Sequence, residues 1–269
     1  MKFGIISDEI SECFSEAIEI ATKLDLDHLE PRIIDGKNIA NLGIKSVRSY
    51  AEKLNENNLE VLCLSSPILK TSLSKNNGIS GKFDDFRADF SLSEQRILTE
   101  NIAKKANILD AKYIRIFSGW KENVKWEEKL PPVLEEIVQT LKDRGLMPLI
   151  ELDHMCNITT YNDFKKLPVK LRSKLGLLFD PGNYVKAGNC DVLEEYERAK
   201  EKIHHLHVKN LKDNRWCSVK KGIIDYQEII RRVKKDESIN SLSLEPYSEE
   251  LDAEKEYHLL KAMIDDSIQ

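Results

Sequence analysis

Eight short apolar runs punctuate the chain, and amphipathic stretches of helical period separate them. The runs lie near Lys2–Ser7, Asp27–Glu30, Glu60–Leu64, Tyr113–Phe117, Met147–Glu151, Gly176–Asp180, His204–Val208 and Ser241–Glu245. They are short and rich in leucine or β-branched residues, so they read as buried strands. In the first gap Ala17, Ile18, Ala21 and Leu24 recur at the spacing of one helix face. Further helical patterns centre on Val47–Leu54, Ser93–Leu109, Pro132–Lys142, Val192–Lys200, Tyr226–Val233 and Glu254–Ile264, and only the fifth unit, with Thr160–Leu167, is weak. Such alternation predicts repeated βα units around a parallel sheet. Eight units in 269 residues match the roughly 250 of a (β/α)8 TIM barrel, so the expected fold is α/β, a single barrel domain over residues 1–269. No linker rich in Pro, Gly or Ser and no low-complexity segment divides it.

Four of the runs end in residues able to hold a metal: Leu-Met-Pro-Leu-Ile-Glu151, Gly-Leu-Leu-Phe-Asp180, Ile-His-His-Leu-His207 and Leu-Ser-Leu-Glu245. Successive members are 29, 27 and 38 residues apart, each close to one strand–helix repeat with its loops. In a parallel barrel the C-terminal strand ends open onto one face, so these four side chains are expected to converge there. Three carboxylates and one imidazole make a hard, oxygen-rich set, suited to one divalent ion: Mn²⁺, Mg²⁺, Co²⁺ or Zn²⁺.

Composition narrows the classes of partner. Hydrophobic residues make up 41% and charged residues 32%, enough for a core and too much charge for a membrane protein. There is no 18-residue apolar stretch, and the N-terminus enters a strand without a signal-like segment, which predicts a cytoplasmic protein. The five cysteines are odd in number and form no Cys-x-x-Cys pair, so they read as reduced thiols. A net charge of −5, with both signs interspersed, lacks the basic excess of a general nucleic-acid binder. A small-molecule partner is expected, with no nucleic acid and no membrane; homo-oligomerisation is left open.

The ordered motifs Gly4-Ile-Ile-Ser-Asp-Glu9, His28-Leu-Glu-Pro-Arg32, Asp35-Gly-Lys-Asn38, Ser65-Ser-Pro-Ile-Leu-Lys70, Tyr113-Ile-Arg-Ile-Phe-Ser118, Phe179-Asp-Pro-Gly-Asn183, His205-Leu-His-Val-Lys-Asn210 and Leu244-Glu-Pro-Tyr247 together carry a resemblance. Over nearly its whole length the chain resembles the xylose isomerase-like TIM barrel superfamily. This is the sugar phosphate isomerase/epimerase group that also holds D-tagatose 3-epimerase, hydroxypyruvate isomerase, inosose isomerases and dehydratases, and endonuclease IV. The resemblance implies a metal-dependent isomerase or epimerase of a sugar, sugar phosphate or inosose, with Glu151, Asp180, His207 and Glu245 as ligands. It also places the ligand at His207 rather than at His205, which strand alternation puts on the same side at another depth. Glu151 and Glu245 would then be catalytic, one removing a proton from carbon and the other returning it through a metal-stabilised enediolate.

The chain departs from that pattern at two places. Asn183 stands where the tagatose epimerases and endonuclease IV have a second histidine, so a substrate-positioning amide is expected there instead of a proton carrier. Ser65-Ser66, Phe117-Ser118 and Asp213-Asn-Arg215 stand where the three-metal nuclease has further ligands, which disfavours the nuclease reading.

Other residues at strand ends are candidates for substrate contact. Glu30 is expected either to accept a substrate hydroxyl or to pair with Arg32 or Arg115. Lys70 and Lys209 are the candidate cations for a substrate anion, with a bridge from Lys209 to Asp8 or Glu9 as the alternative. His154 lies just past the fifth strand, within reach of substrate, and Trp120 and Trp216 are candidate walls for a sugar ring. The irregular stretch from Thr71 to about Phe90 is expected to cover the substrate. Two rivals stay in view: a lyase or dehydratase using His154 as acid, and a noncatalytic metal-stabilised sugar-binding protein.

Overall fold

The computed structural model describes residues 1–74, 87–236, 239–248 and 250–266. Its eight parallel strands are β1 (Lys2–Ile6), β2 (His28–Glu30), β3 (Cys63–Leu64), β4 (Tyr113–Ile116), β5 (Met147–Glu151), β6 (Gly176–Phe179), β7 (Ile203–Val208) and β8 (Ser241–Leu244). They are hydrogen bonded in the order β2-β1-β8-β7-β6-β5-β4-β3. The remaining seam, between β2 and β3, is drawn together by a parallel bridge of His28 to Glu60. There the Leu29 N–H donates to the Glu60 carbonyl at 3.0 Å and the Ser65 N–H to the Pro31 carbonyl at 3.1 Å. The result is a nearly closed parallel barrel with flanking helices, a TIM barrel. Every residue of β2, β3, β6 and β8 is buried, as expected where helices cover one face of a strand and the barrel interior fills the other.

The helices follow from the periodicity with instructive differences. Phe14–Lys23 buries Phe14, Ala17, Ile18 and Ala21, and Tyr226–Asp236 buries Tyr226, Ile229, Ile230 and Val233, one face in each case. The helix expected from Pro132 begins six residues earlier and runs Trp126–Lys142, with Pro131 and Pro132 inside it. Leu130 and Leu134 are both fully buried, so tertiary packing holds the extra turn through two residues that lack an N–H. The weak fifth unit forms two short helices, Tyr161–Lys165 and Val169–Arg172, the first capped by the Thr160 side chain and the second preceded by Pro168.

Two short hairpins extend the strand-end loops: Ile33–Ile34 with Lys37–Asn38 after β2, and Asn210–Lys212 with Arg215–Cys217 after β7. The second turns at Asp213 and Asn214, both at positive φ (50° and 60°), a conformation that short polar side chains tolerate. Most of the expected cover, residues 75–86, lies outside the described residues. At its start Thr71 and Ser72 are buried, and the Trp120 N–H donates to the Thr71 carbonyl at 2.8 Å.

Candidate metal centre

Glu151 ends β5, Asp180 follows β6, His207 sits one residue from the end of β7, and Glu245 follows β8. All four are buried, and each offers a ligand atom within 4.8 Å of the others. Neighbouring strands of a parallel barrel deliver them to one end, and each is anchored from outside the group. The Asn183 side-chain amide donates to Glu151 Oε1 at 2.8 Å, and the Asn183 N–H donates to Asp180 Oδ1 at 2.9 Å. Arg32 Nη1 donates to Glu245 Oε1 at 2.8 Å, and Glu30 receives His207 Nε2 at 3.1 Å.

These anchors leave one buried atom of three members, Glu151 Oε2, Asp180 Oδ2 and His207 Nδ1, with no hydrogen bond. Charges nevertheless stand close by: Arg115 Nη1 is 3.5 Å from Glu151 Oε2, Lys209 Nζ is 2.8 Å from Asp180 Oδ2, and Glu245 Oε2 is 3.4 Å from His207 Nδ1. Lys209 also donates to Glu245 Oε2 at 2.6 Å. Buried polar atoms are normally hydrogen bonded, so three ligand-type atoms converging in one spot without a hydrogen bond, Asp180 Oδ2 among them held only by the Lys209 ion pair, suit a divalent cation that displaces the neighbouring protons and ammonium. The residues present therefore fit a metal.

Electrostatics among the site's own residues are lopsided. Burial raises the Glu151 and Asp180 carboxyls above their ordinary range. Burial pushes Glu245 the same way, but Lys209, His207 and Arg32 outweigh it and hold that carboxyl well below. Burial alone would lower His207, yet Glu30 and Glu245 carry it up to about 10. Lys209 is buried too, and Asp180, Glu245 and Glu151 keep its ammonium charged. Imidazolium and ammonium thus balance part of the carboxylate charge, and a divalent ion would take their place by displacing the Nδ1 proton of His207 and the Lys209 ammonium from Asp180 Oδ2.

The remaining sequence candidates divide into those that reach the mouth of this site and those that do not. Lys70 lies 3.2 Å from Asp153 Oδ2 and 4.2 Å from the Phe117 ring centre. His154 is half-buried, with Nδ1 2.9 Å from Asn183 Oδ1 and its ring against Trp216. Lys209 lies 5.2 Å and 5.0 Å from the ring centres of Trp216 and Tyr247, so these aromatics wall the open side. Trp120 is buried over Lys70 rather than displayed.

Glu30 and Lys209, for each of which substrate contact and an internal ion pair were both open, lie within the buried polar network. The fully buried Glu30 carboxylate accepts from Ser65 and faces His205 and His207. Lys209 bridges Asp180 and Glu245 instead of Asp8 or Glu9, because Arg32 already takes those two acids at 2.7 Å each. Asp153 is the member of this network that the sequence did not single out, and Asp8 and Glu9, considered there as partners of Lys209, belong to Arg32. Alternation along Glu151-Leu-Asp153 was the available signal for the first.

Gly182 lets the Asp180 turn approach β7. A Cβ there would lie 2.7 Å from Lys209 Cγ, 2.8 Å from the Lys209 carbonyl oxygen and 3.1 Å from Asp180 Oδ1. Backbone cannot swing away as a flexible side chain can, so Gly182→Ala is expected to cost roughly 1–3 kcal/mol, the usual range for overpacking. Urea unfolding measures it, and an unchanged midpoint would show that the turn has room to spare.

No curated protein matches the sequence. Among solved structures, a D-tagatose 3-epimerase-like protein aligns over 100% of both chains with a TM-score of 0.78 and 18% identity. The IOLI protein with a binding zinc atom aligns over 100% of this chain and 98% of its own, at TM-score 0.73 and 19% identity. The probable 3-DHS dehydratase AsbF of Bacillus anthracis aligns over 100% and 99%, at TM-score 0.71 and 17% identity. At such identities the likeness speaks to the fold. The model of the family described as xylose isomerase-like TIM barrel matches residues 16–263, and the chain belongs to that family.

Proposed function

We propose that the protein is a divalent-metal-dependent isomerase or epimerase of a sugar, sugar phosphate or inosose. The observation that carries this reading is the convergence of Glu151, Asp180, His207 and Glu245, three of them with a buried atom that no hydrogen bond satisfies. Those four would hold one ion, which when bound supplies a Lewis acid for a carbonyl and its neighbouring hydroxyl. Glu151 and Glu245 come from β5 and from the residue after β8, on different sides of the quartet. One carboxylate would take the proton from the carbon beside the carbonyl, and the other would return a proton to the enediolate from its own side. Asn183 would hold Glu151 in place, and Arg32 would hold Glu245. Trp216 and Tyr247 would exclude water and cover an apolar sugar face, His154 and Lys70 would contact substrate oxygens, and Lys209, buried between Asp180 and Glu245, would reach substrate only by leaving one of them.

The same arrangement would serve a β-elimination, and one contact favours keeping that reading: His154 connects through Asn183 to Glu151. As an imidazolium, a form that burial of the ring disfavours, His154 would protonate a leaving hydroxyl. Incubating the protein with a sugar panel and Mn²⁺, and analysing products, separates an isomer of equal mass from a dehydrated product. No turnover and no proton exchange with any sugar would favour a binding protein.

One metal equivalent per chain is expected after stripping and reconstitution. Among the described residues a second grouping, Glu30 with His205 and His207, shares His207 with the first and is already joined by hydrogen bonds. His207→Ala should therefore weaken binding sharply. Two or three equivalents at this face would overturn the assignment.

A further inference from the structure

Glu30 lies on the far side of His207 from the quartet, and three donors converge on it. Its Oε1 accepts from the Ser65 hydroxyl, its Oε2 stands 3.0 Å from His205 Nε2, and both oxygens stand 3.1 Å from His207 Nε2. His205 is held in turn through Nδ1, 2.7 Å from the Ser241 hydroxyl. All of these groups are buried. His207 Nδ1, by contrast, makes no hydrogen bond and lies 3.4 Å from Glu245 Oε2.

From this we infer that Glu30 is the positioning residue that fixes the ring orientation and tautomer of His207, holding the proton on Nε2 and leaving the Nδ1 lone pair for the metal. The inference rests on the metal reading above. An imidazole can present either nitrogen, and the hydrogen bond made by one decides which remains for a ligand role. A carboxylate on the outer nitrogen of a metal-bound histidine both orients the ring and strengthens it as a ligand. Glu30 suits this task because a carboxylate only accepts, and every neighbour named here donates to it. A glutamine would instead turn an NH2 toward an imidazole N–H. That conflict is relieved by moving a proton to the other nitrogen or by turning the ring, and at His207 either disturbs the face offered to the quartet.

The test uses Zn²⁺ alone as probe, with full-length wild type, Glu30→Gln and Ser65→Ala. Affinity is read by competition with a chromophoric chelator, and the bound nitrogen by long-range ¹H–¹⁵N correlation on ¹⁵N-histidine-labelled protein. Wild type is expected to bind Zn²⁺ through His207 Nδ1. Glu30→Gln should bind roughly 10–100-fold more weakly, whereas Ser65→Ala, which keeps the carboxylate, should lose far less. Coordination through Nε2 in wild type would overturn the inference even if Glu30→Gln fails to fold. So would a folded Glu30→Gln with wild-type affinity. If wild type binds no Zn²⁺ at the quartet, the metal reading itself fails and takes this inference with it, an outcome distinct from the other two.

Discussion

Glu245→Gln, loaded with saturating divalent metal, is expected to lose turnover by at least roughly 10²–10⁴-fold, the range for a missing acid–base group. Glu151→Gln should lose as much. Both replacements keep side-chain size while removing the base, and both weaken a ligand, so metal content has to be measured beside rate. The assay is exchange in D₂O of the proton next to the carbonyl, on whichever sugar of a panel the wild type converts. Exchange separates the chemical step from product release and is diagnostic of an enediolate. The two carboxylates differ in surroundings: burial lifts Glu151, whereas Lys209, His207 and Arg32 overcome burial and depress Glu245. Should fully metallated Glu245→Gln keep near-normal turnover and exchange, the two-glutamate mechanism is wrong and His154 becomes the next residue to test.

Arg32→Met is expected to destabilise the fold by about 3–5 kcal/mol, the cost of breaking a buried ion pair from one side. Its guanidinium is buried and meets Asp8 at 2.7 Å, Glu9 at 2.7 Å and Glu245 at 2.8 Å. Methionine fills a similar volume but leaves the buried Glu245 carboxylate and those of the partly buried Asp8 and Glu9 facing one another. For a chain of this size the melting temperature should fall by on the order of 10 °C. A shift of no more than a degree or two would mean that water already screens the cluster. Because Glu245 belongs to both networks, metal affinity should fall together with stability, and added metal should restore part of the melting temperature by mass action.

The barrel was legible before any coordinates. Strands buried on both faces read as continuous apolar runs, and amphipathic helices write their period into the sequence, so all eight strand positions agree with the architecture to within a few residues. Less of the detail outside that pattern could be read. The helix beginning at Trp126 was hidden because two prolines ordinarily mark a helix start, and only the burial of Leu130 and Leu134 overrides that signal. The hairpin carrying Trp216 left a trace in Asp213-Asn214, a pair suited to positive φ, but a trace too short to outweigh a loop.

At the site, the order and spacing of residues already tell which of them arrive at the C-terminal face, because a parallel barrel needs only a count of strands and the position where each run stops. They do not tell what each arrival touches. β2 and β7 are separated by two strands in the sheet, so the approach of Glu30 to His207 crosses the barrel interior and has no counterpart in sequence spacing. Nor does alternation say which nitrogen of a ring faces which carboxylate. That was decided by tertiary packing, since a buried donor must find whatever acceptor the closed barrel places opposite it. This is why Lys209 stands among Asp180 and Glu245, Arg32 gathers Asp8 and Glu9, and Glu30 is left to the histidines.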